Sequence, residues 1–316
     1  MADLPSVTST YQYLRKCNLL VANNQGDALD LSALRIKFSV KRSNAMTPNA
    51  ADIRVYNLEE KTANLISKEF TRVILQAGYD SNYGVIFQGS IKQVIVGRES
   101  GTETFIEIIA SDGDLAYNFA IVSTSLKKGA TQQQQVDAAV ATMSPLGVTA
   151  GGNTVVEATP QLPRGKVMFG NARNYLRDSA QTVGASWSIQ DEKVVFVAKN
   201  AYLPGQAVVL NSQTGMIGAP QQTLQGVNVK CLLNPNIQIA TKIQLDSSQI
   251  QRLAINLSVP GTAAAIPAPL TTDGVYFVLV AEHVGDTRGI EWYSNLVTLF
   301  IDPTLPINKG VAVNYD

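Results

Sequence analysis

The sequence predicts a mainly β protein in which two β-barrel or β-sandwich lobes flank a small α+β domain. Three observations carry this prediction. Apolar and polar residues alternate in segment after segment, the period of strands with one buried face. Clusters of Gly, Pro, Asn and Asp separate those segments at short intervals. Between residues 113 and 200 the apolar period changes to that of helices. The expected division is 1–112, 113–200 and 201–316.

The clearest strand is in the first lobe. Leu34, Ile36, Phe38 and Val40 alternate with Arg35, Lys37, Ser39 and Lys41, so one face is apolar and the other carries three cations. A polar turn segment, Ser43–Ala50, leads to a second strand at Asp52–Tyr56. Asn57 and Glu60 then stand at the spacing of a capping box, which predicts a short helix starting there. Further strands are expected at Asn18–Ala22, Arg72–Ala77, Val85–Gly89, Ile91–Val96 and Thr102–Ala110, with Gly78–Gly84 as a hairpin loop.

In the middle domain Thr131 and Gln134 form a second capping box, and Val136, Ala139, Val140 and Met143 share one helical face. Ala172, Tyr175, Leu176, Ala180 and Val183 define another helix, ended by Gly184 where a left-handed glycine belongs. Trp187–Ile189 and Val194–Val197, joined by Gln-Asp-Glu-Lys, form a hairpin. In the last lobe strands are expected at Gln206–Leu210, Gly226–Leu232, Lys242–Leu245, Val275–His283 and Glu291–Ile301. An Ala/Pro-rich loop interrupts them, and the tail after Ile301 reads as extended, disordered or docked on a partner.

At 316 residues the chain exceeds one ordinary core, so several domains are expected. Lys+Arg and Asp+Glu are equal at 25 each, so net charge makes no case for nucleic-acid binding. The first residues lack the basic and apolar regions of a secretory signal. The longest apolar run, Val275–Ala281, falls far short of the ~20 residues of a membrane-spanning helix. No membrane insertion is expected. Cys17 and Cys231 fit no metal or redox spacing; reduced synthesis in the cytosol is the simplest reading, and their positions leave a disulfide open.

Chemistry is sparse. There is a single histidine, His283, which excludes a multi-histidine metal cluster. At a strand end before a turn it reads as a structural residue; a general base beside Asp286 would lack a nucleophile elbow. Glu59 and Glu60 suit a helix N-terminus, and Asp112 with Asp114 reads as a turn. Neither pair specifies catalysis, so no enzyme, cofactor or metal is expected. Arg35, Lys37 and Lys41 have two readings: a solvated strand surface, or the lining of a channel or subunit interface. Of Trp292 and Tyr293, one ring must face the core and the other outward.

Four segments carry a family resemblance: Ala51–Ile66, Val73–Val122, Gly226–Asp246 and Asp273–Leu299. They resemble, in the same order, the baseplate hub proteins of contractile-tailed bacteriophages. The resemblance implies a structural virion protein of the tail baseplate, assembled in the host cytoplasm. It implies a homotrimer with two tail-tube-like β lobes per chain, so that three chains match a sixfold tube on one side and a threefold central spike on the other. The implied partners are the spike, the tail tube or a tube-initiator protein and the baseplate wedge proteins, with tape-measure protein and phage DNA passing through the bore without sequence-specific binding. On that reading Arg35, Lys37 and Lys41 are candidates for the channel or interface, and the tail residues Pro303, Pro306 and Tyr315 for spike contact. Nothing after Leu299 reads as long enough for a fused spike, so a separate spike protein is expected, and no hydrolase motif is read. The alternatives from other classes are a tail-associated peptidoglycan hydrolase, which needs two carboxylates at a glycosidase separation, and a glycan-binding tail adhesin, which needs an exposed aromatic platform.

Overall fold

A computed structural model describes residues 12–300 apart from 24, 154–160, 199–202, 204, 224–225, 253–269 and 271–273. The first lobe contains β1 (Arg15–Ala22), β2 (Ala28–Asp30), β3 (Ile36–Ser43), β4 (Ala50–Tyr56), α1 (Glu60–Glu69), β5 (Arg72–Tyr79), β6 (Asn82–Arg98) and β7 (Thr104–Ser111). β3 buries Ile36, Phe38 and Val40, as the alternation requires. β6 is one strand of 17 residues where two were expected. Its first half pairs with β5 and its second half with β7, and Ser90 is the corner, opposite both Arg72 and Ser111. A bulge on each side of that corner lets the strand turn from one neighbour to the next.

The predicted helix after Tyr56 exists, but not with the predicted cap. Glu59 is the N-cap and makes no side-chain cap bond. Asn57 instead sits at a left-handed φ of 54° and its Oδ1 accepts the Thr104 N–H, tying the end of β4 to β7.

The middle domain comprises α2 (Asp114–Phe119), β8 (Ile121–Leu126), α3 (Gln132–Met143), β9 (Thr149–Asn153), β10 (Lys166–Asn171), α4 (Ala172–Thr182), β11 (Ala185–Gln190) and β12 (Lys193–Ala198). The Thr131–Gln134 capping box is formed in both directions. Gly184 follows α4 at φ 65°, the left-handed position that a Cβ would disfavour. β8 pairs with β10, and β9 runs parallel to β12. The sequence predicts neither pairing, and α2 starts at Asp114, where a turn is expected.

The last lobe adds β13 (Val208–Leu210), β14 (Gln221–Gln222), β15 (Val227–Leu232), β16 (Lys242–Leu245), β17 (Val275–Asp286) and β18 (Trp292–Leu299). The two β lobes do not stand apart. Their strands form one 13-stranded sheet, ordered β14-β15-β18-β17-β3-β4-β7-β6-β5-β1-β2, with β16 beside β17 and β13 beside β16. β17 makes the join: Val275–Phe277 pair with β16, and Val280–Asp286 pair with β3.

Packing follows the same plan. One core holds residues of the first lobe with Leu233 of the last, a second those of the middle domain, and a third those of the last lobe together with Val195 and Val197 of β12. Trp292 of β18 crosses over and is buried in the first core, where its Nε1 donates to the Gly78 carbonyl at 3.2 Å. Phe38 meets it edge to face at 5.5 Å. Gly285 permits this approach, since a Cβ there would lie 2.3 Å from the Phe38 ring. Tyr293 faces the other way, under Lys230 Nζ at 3.7 Å. The Ala/Pro-rich loop at 259–274, apart from residues 270 and 274, and the tail with Pro303, Pro306 and Tyr315 lie outside the described residues.

Candidate functional site

The candidate surface begins with the outward row around β3, in the middle of the shared sheet. Arg35, just before the strand, forms a two-pronged contact with Asp286, Nη2 to Oδ2 at 2.9 Å and Nε to Oδ1 at 3.3 Å. It also lies 3.7 Å from Glu103 and over the Tyr56 ring. Burial alone would raise Asp286, but Arg35 and the N–H groups of Arg288 and Gly289 hold it below the usual carboxylate range. Lys37 pairs with Glu291 at 3.2 Å, and Lys41 with Glu282 at 3.9 Å. On β4, Arg54 pairs with Glu107 at 2.8 Å and Glu99 at 3.8 Å. Every cation of this row therefore has an acid from a neighbouring strand or turn. The face is a lattice of alternating charge, and each exposed pair contributes little to stability.

The opposite end of β3 carries a residue that sequence reading passed over. Arg42 occupies the inward row yet is charged, and it is buried. Its Nη2 lies 2.7 Å from Asp191 Oδ2, in the turn of the β11–β12 hairpin. Asp191 and Glu192 both have positive φ, the geometry of a tight hairpin turn. Asp112, at the end of β7, accepts the N–H groups of Asp191 at 2.7 Å and Glu192 at 2.8 Å. Glu192 in turn binds Arg72 and Gln88. Asn49 donates to the Ile189 carbonyl, and Gln190 to the Ser43 carbonyl. This polar junction fixes the middle domain to the first lobe. The cation within an apolar alternation was the available signal for it.

His283 and Asp286 are both committed to structural partners. Burial, with Arg42 nearby, pushes His283 down to about 3, so the imidazole is neutral, and its Nδ1 lies 2.7 Å from Ser294 Oγ on the next strand. The expected strand-end position is thus a buried ladder position, and Asp286 is committed to Arg35. Cys17 and Cys231 are free thiols, and burial pushes each up to about 12. Among the described residues no group of His, Cys, Asp and Glu is placed to hold a metal, and no helix is long and apolar enough to cross a membrane.

Apolar surface is left open on the middle domain. Ile121 of β8 and Val167 and Phe169 of β10 share one face and are exposed, and Leu115 and Phe119 of α2 are exposed as well.

Comparison with known proteins identifies the family. The baseplate hub gp41 family profile matches residues 20–256. The chain belongs to that family. It is therefore a structural component of a bacteriophage tail baseplate and not an enzyme. No curated protein matches it. Among solved structures, the 43 kDa tail protein of prophage MuSo2 from Shewanella oneidensis is similar at 8% identity and a TM-score of 0.56, over 90% of this chain and 97% of its own. The tail protein from Neisseria meningitidis MC58 is similar at 11% identity and 0.56, over 90% and 96%. The E. coli c3393 protein, a type VI secretion component described as structurally similar to the T4 phage tail proteins gp27 and gp5, gives 9% and 0.54, over 90% and 77%. At such identities these likenesses establish a common fold, and the profile establishes the family.

Proposed function

We propose that this hub protein forms a homotrimeric ring that joins a sixfold tail tube to a threefold central spike and encloses a channel for genome passage. The observation that carries the reading is the pairing of β17 with β3, which fuses two β lobes of one chain into a single sheet. Three such chains supply six β lobes, the number a sixfold tube requires, while the assembly keeps threefold symmetry for the spike. The three cores support a three-part division near 1–112, 113–200 and 201–316, with β12 shared between the second and third cores and the outer two parts being the tube-like lobes. The open apolar face of the middle domain supports contact with a neighbouring copy or a wedge protein.

On this reading the row of Arg35, Lys37 and Lys41 faces the bore. Its paired charges suit a passage through which DNA or tape-measure protein slides, because cations already neutralised by Asp286, Glu291 and Glu282 offer phosphates little net attraction. The tube or tube-initiator protein meets one side of the ring and the spike the other, with Pro303, Pro306 and Tyr315 assigned to the spike side.

The test is the solution mass by light scattering at low and high salt, alone and with the cognate spike. A species of about three times 33.9 kDa that persists at high salt is expected. A monomer under every one of these conditions overturns the ring.

A further inference from the structure

We infer that the cleft between the uncovered edge of β1 and the tip of the β17–β18 hairpin binds an extended, acidic peptide segment of a partner protein by strand addition. β2 covers only Leu20–Ala22 of β1, so among the described residues no strand pairs with the first half of β1 on that side. The carbonyls of Leu14 and Ala22 face β5, where they accept the N–H groups of Asp80 and Thr71. Leu19 points the other way, towards Ser32 and Leu31. The strand alternation therefore directs the N–H and C=O of Arg15 and Cys17 to the open edge.

A cleft of about 500 Å³ runs along that edge, between Arg15–Asn18 and the hairpin residues Thr287 and Arg288, with Leu34 and Trp292 adding apolar surface. Its lining carries three cations, Arg15, Lys16 and Arg288, and no carboxylate. Lys16 pairs with Asp80 outside the lining, and Arg15 donates to the carbonyls of Gly289 and Ile290. The Arg288 guanidinium has no partner among the described residues. Leu14, next to Arg15 in sequence, and Ile290, two residues beyond Arg288, are exposed.

The hydrogen-bonding demand selects a peptide. The open edge offers backbone acceptors and donors in alternation. A phosphate or a free carboxylate brings acceptors alone. A peptide strand brings N–H and C=O together, with acidic side chains for the cations and an apolar one for Leu34 and Trp292.

This inference concerns the isolated chain, so it stands or falls separately from the ring. The test screens the purified full chain against a displayed library of random heptapeptides, with Arg288→Glu in parallel. The wild type is expected to select sequences in which Asp or Glu alternates with apolar residues, and Arg288→Glu to lose that selection. A fluorescein-labelled synthetic peptide of the selected sequence should then bind Arg288→Glu about tenfold more weakly by anisotropy. N-methylation of one alternate set of its amides should abolish binding and of the other set leave it intact, a control that leaves the protein unaltered. No enrichment, selection without acids, equal effects of the two N-methylated sets, or equal competition by single-stranded DNA or polyphosphate would each overturn the proposal. So would binding that appears only after residues 1–11 are removed, since the chain itself would then be the occupant.

Discussion

Arg42 and Asp191 form a buried ion pair, Nη2 to Oδ2 at 2.7 Å, between the central strand of the shared sheet and a hairpin of the middle domain. Arg42 is almost wholly buried while Asp191 keeps some contact with solvent. Removing the acid's charge leaves the guanidinium desolvated without compensation. Asp191→Asn keeps a residue that tolerates positive φ and should destabilise the protein by about 1–3 kcal/mol in urea unfolding. An unchanged midpoint would mean that the pair contributes nothing net.

Asp112 makes stability depend on pH. Burial, reinforced by Asp191, pushes its carboxyl up to about 7 against the pull of Arg42 and two backbone N–H groups. The folded state then holds a proton that the unfolded state releases near the ordinary carboxylate value. The resulting stability is present in full below pH 4 and is lost as pH rises towards 7, by at most about tenfold in the folded-to-unfolded ratio per pH unit. Urea midpoints of the wild type should fall over that window relative to those of Asp112→Asn; parallel curves would refute the shift.

Trp292 belongs to the last lobe by sequence and to the first by packing. Trp292→Ala should cost about 3–5 kcal/mol, and the loss should appear in both β lobes. Hydrogen exchange on β3 and on β15 would read this directly. Weakened protection of one without the other would show that the cores unfold independently.

Thr131→Ala removes one half of the α3 capping box, in which Thr131 Oγ1 accepts the Gln134 N–H and Gln134 Oε1 accepts the Thr131 N–H. A loss of about 1 kcal/mol is expected, concentrated in the amides of the first turn of α3. Uniform loss across the chain would argue against a local cap.

Lys41→Gln tests the charge lattice. Lys41 is mostly exposed and 3.9 Å from Glu282. Its replacement should change stability by less than about 1 kcal/mol. A larger loss in thermal melts would mean that the outward row supports the fold.

Local patterns carried much of the fold. The alternation at Leu34–Lys41 located β3, Lys242–Leu245 is β16 with the same bounds, and the Thr131–Gln134 spacing located the start of α3. What the sequence did not disclose depends on distant partners. β9, Thr149–Asn153, is poor in apolar residues and is a strand because β12 pairs with it. The β3–β17 join unites residues some 240 positions apart, and no local spacing records it. For the candidate surface, the three cations were visible but their acids were not, because Asp286, Glu291 and Glu282 arrive from the other lobe. Asn57 shows the converse, a correct capping spacing overridden by a better hydrogen bond to the Thr104 N–H.

The join through β17 also determines how the molecule carries load. Seven facing residue pairs, Val280–Ser43 to Asp286–Lys37, hold the two β lobes side by side. Antiparallel backbone bonds of this kind resist a pull along the strands in shear, all together, whereas a pull across them is met bond by bond. The joint is therefore stiff along the strands and weaker across them. A thrust delivered along the strands to one lobe passes to the other as through a beam, without a hinge to absorb it.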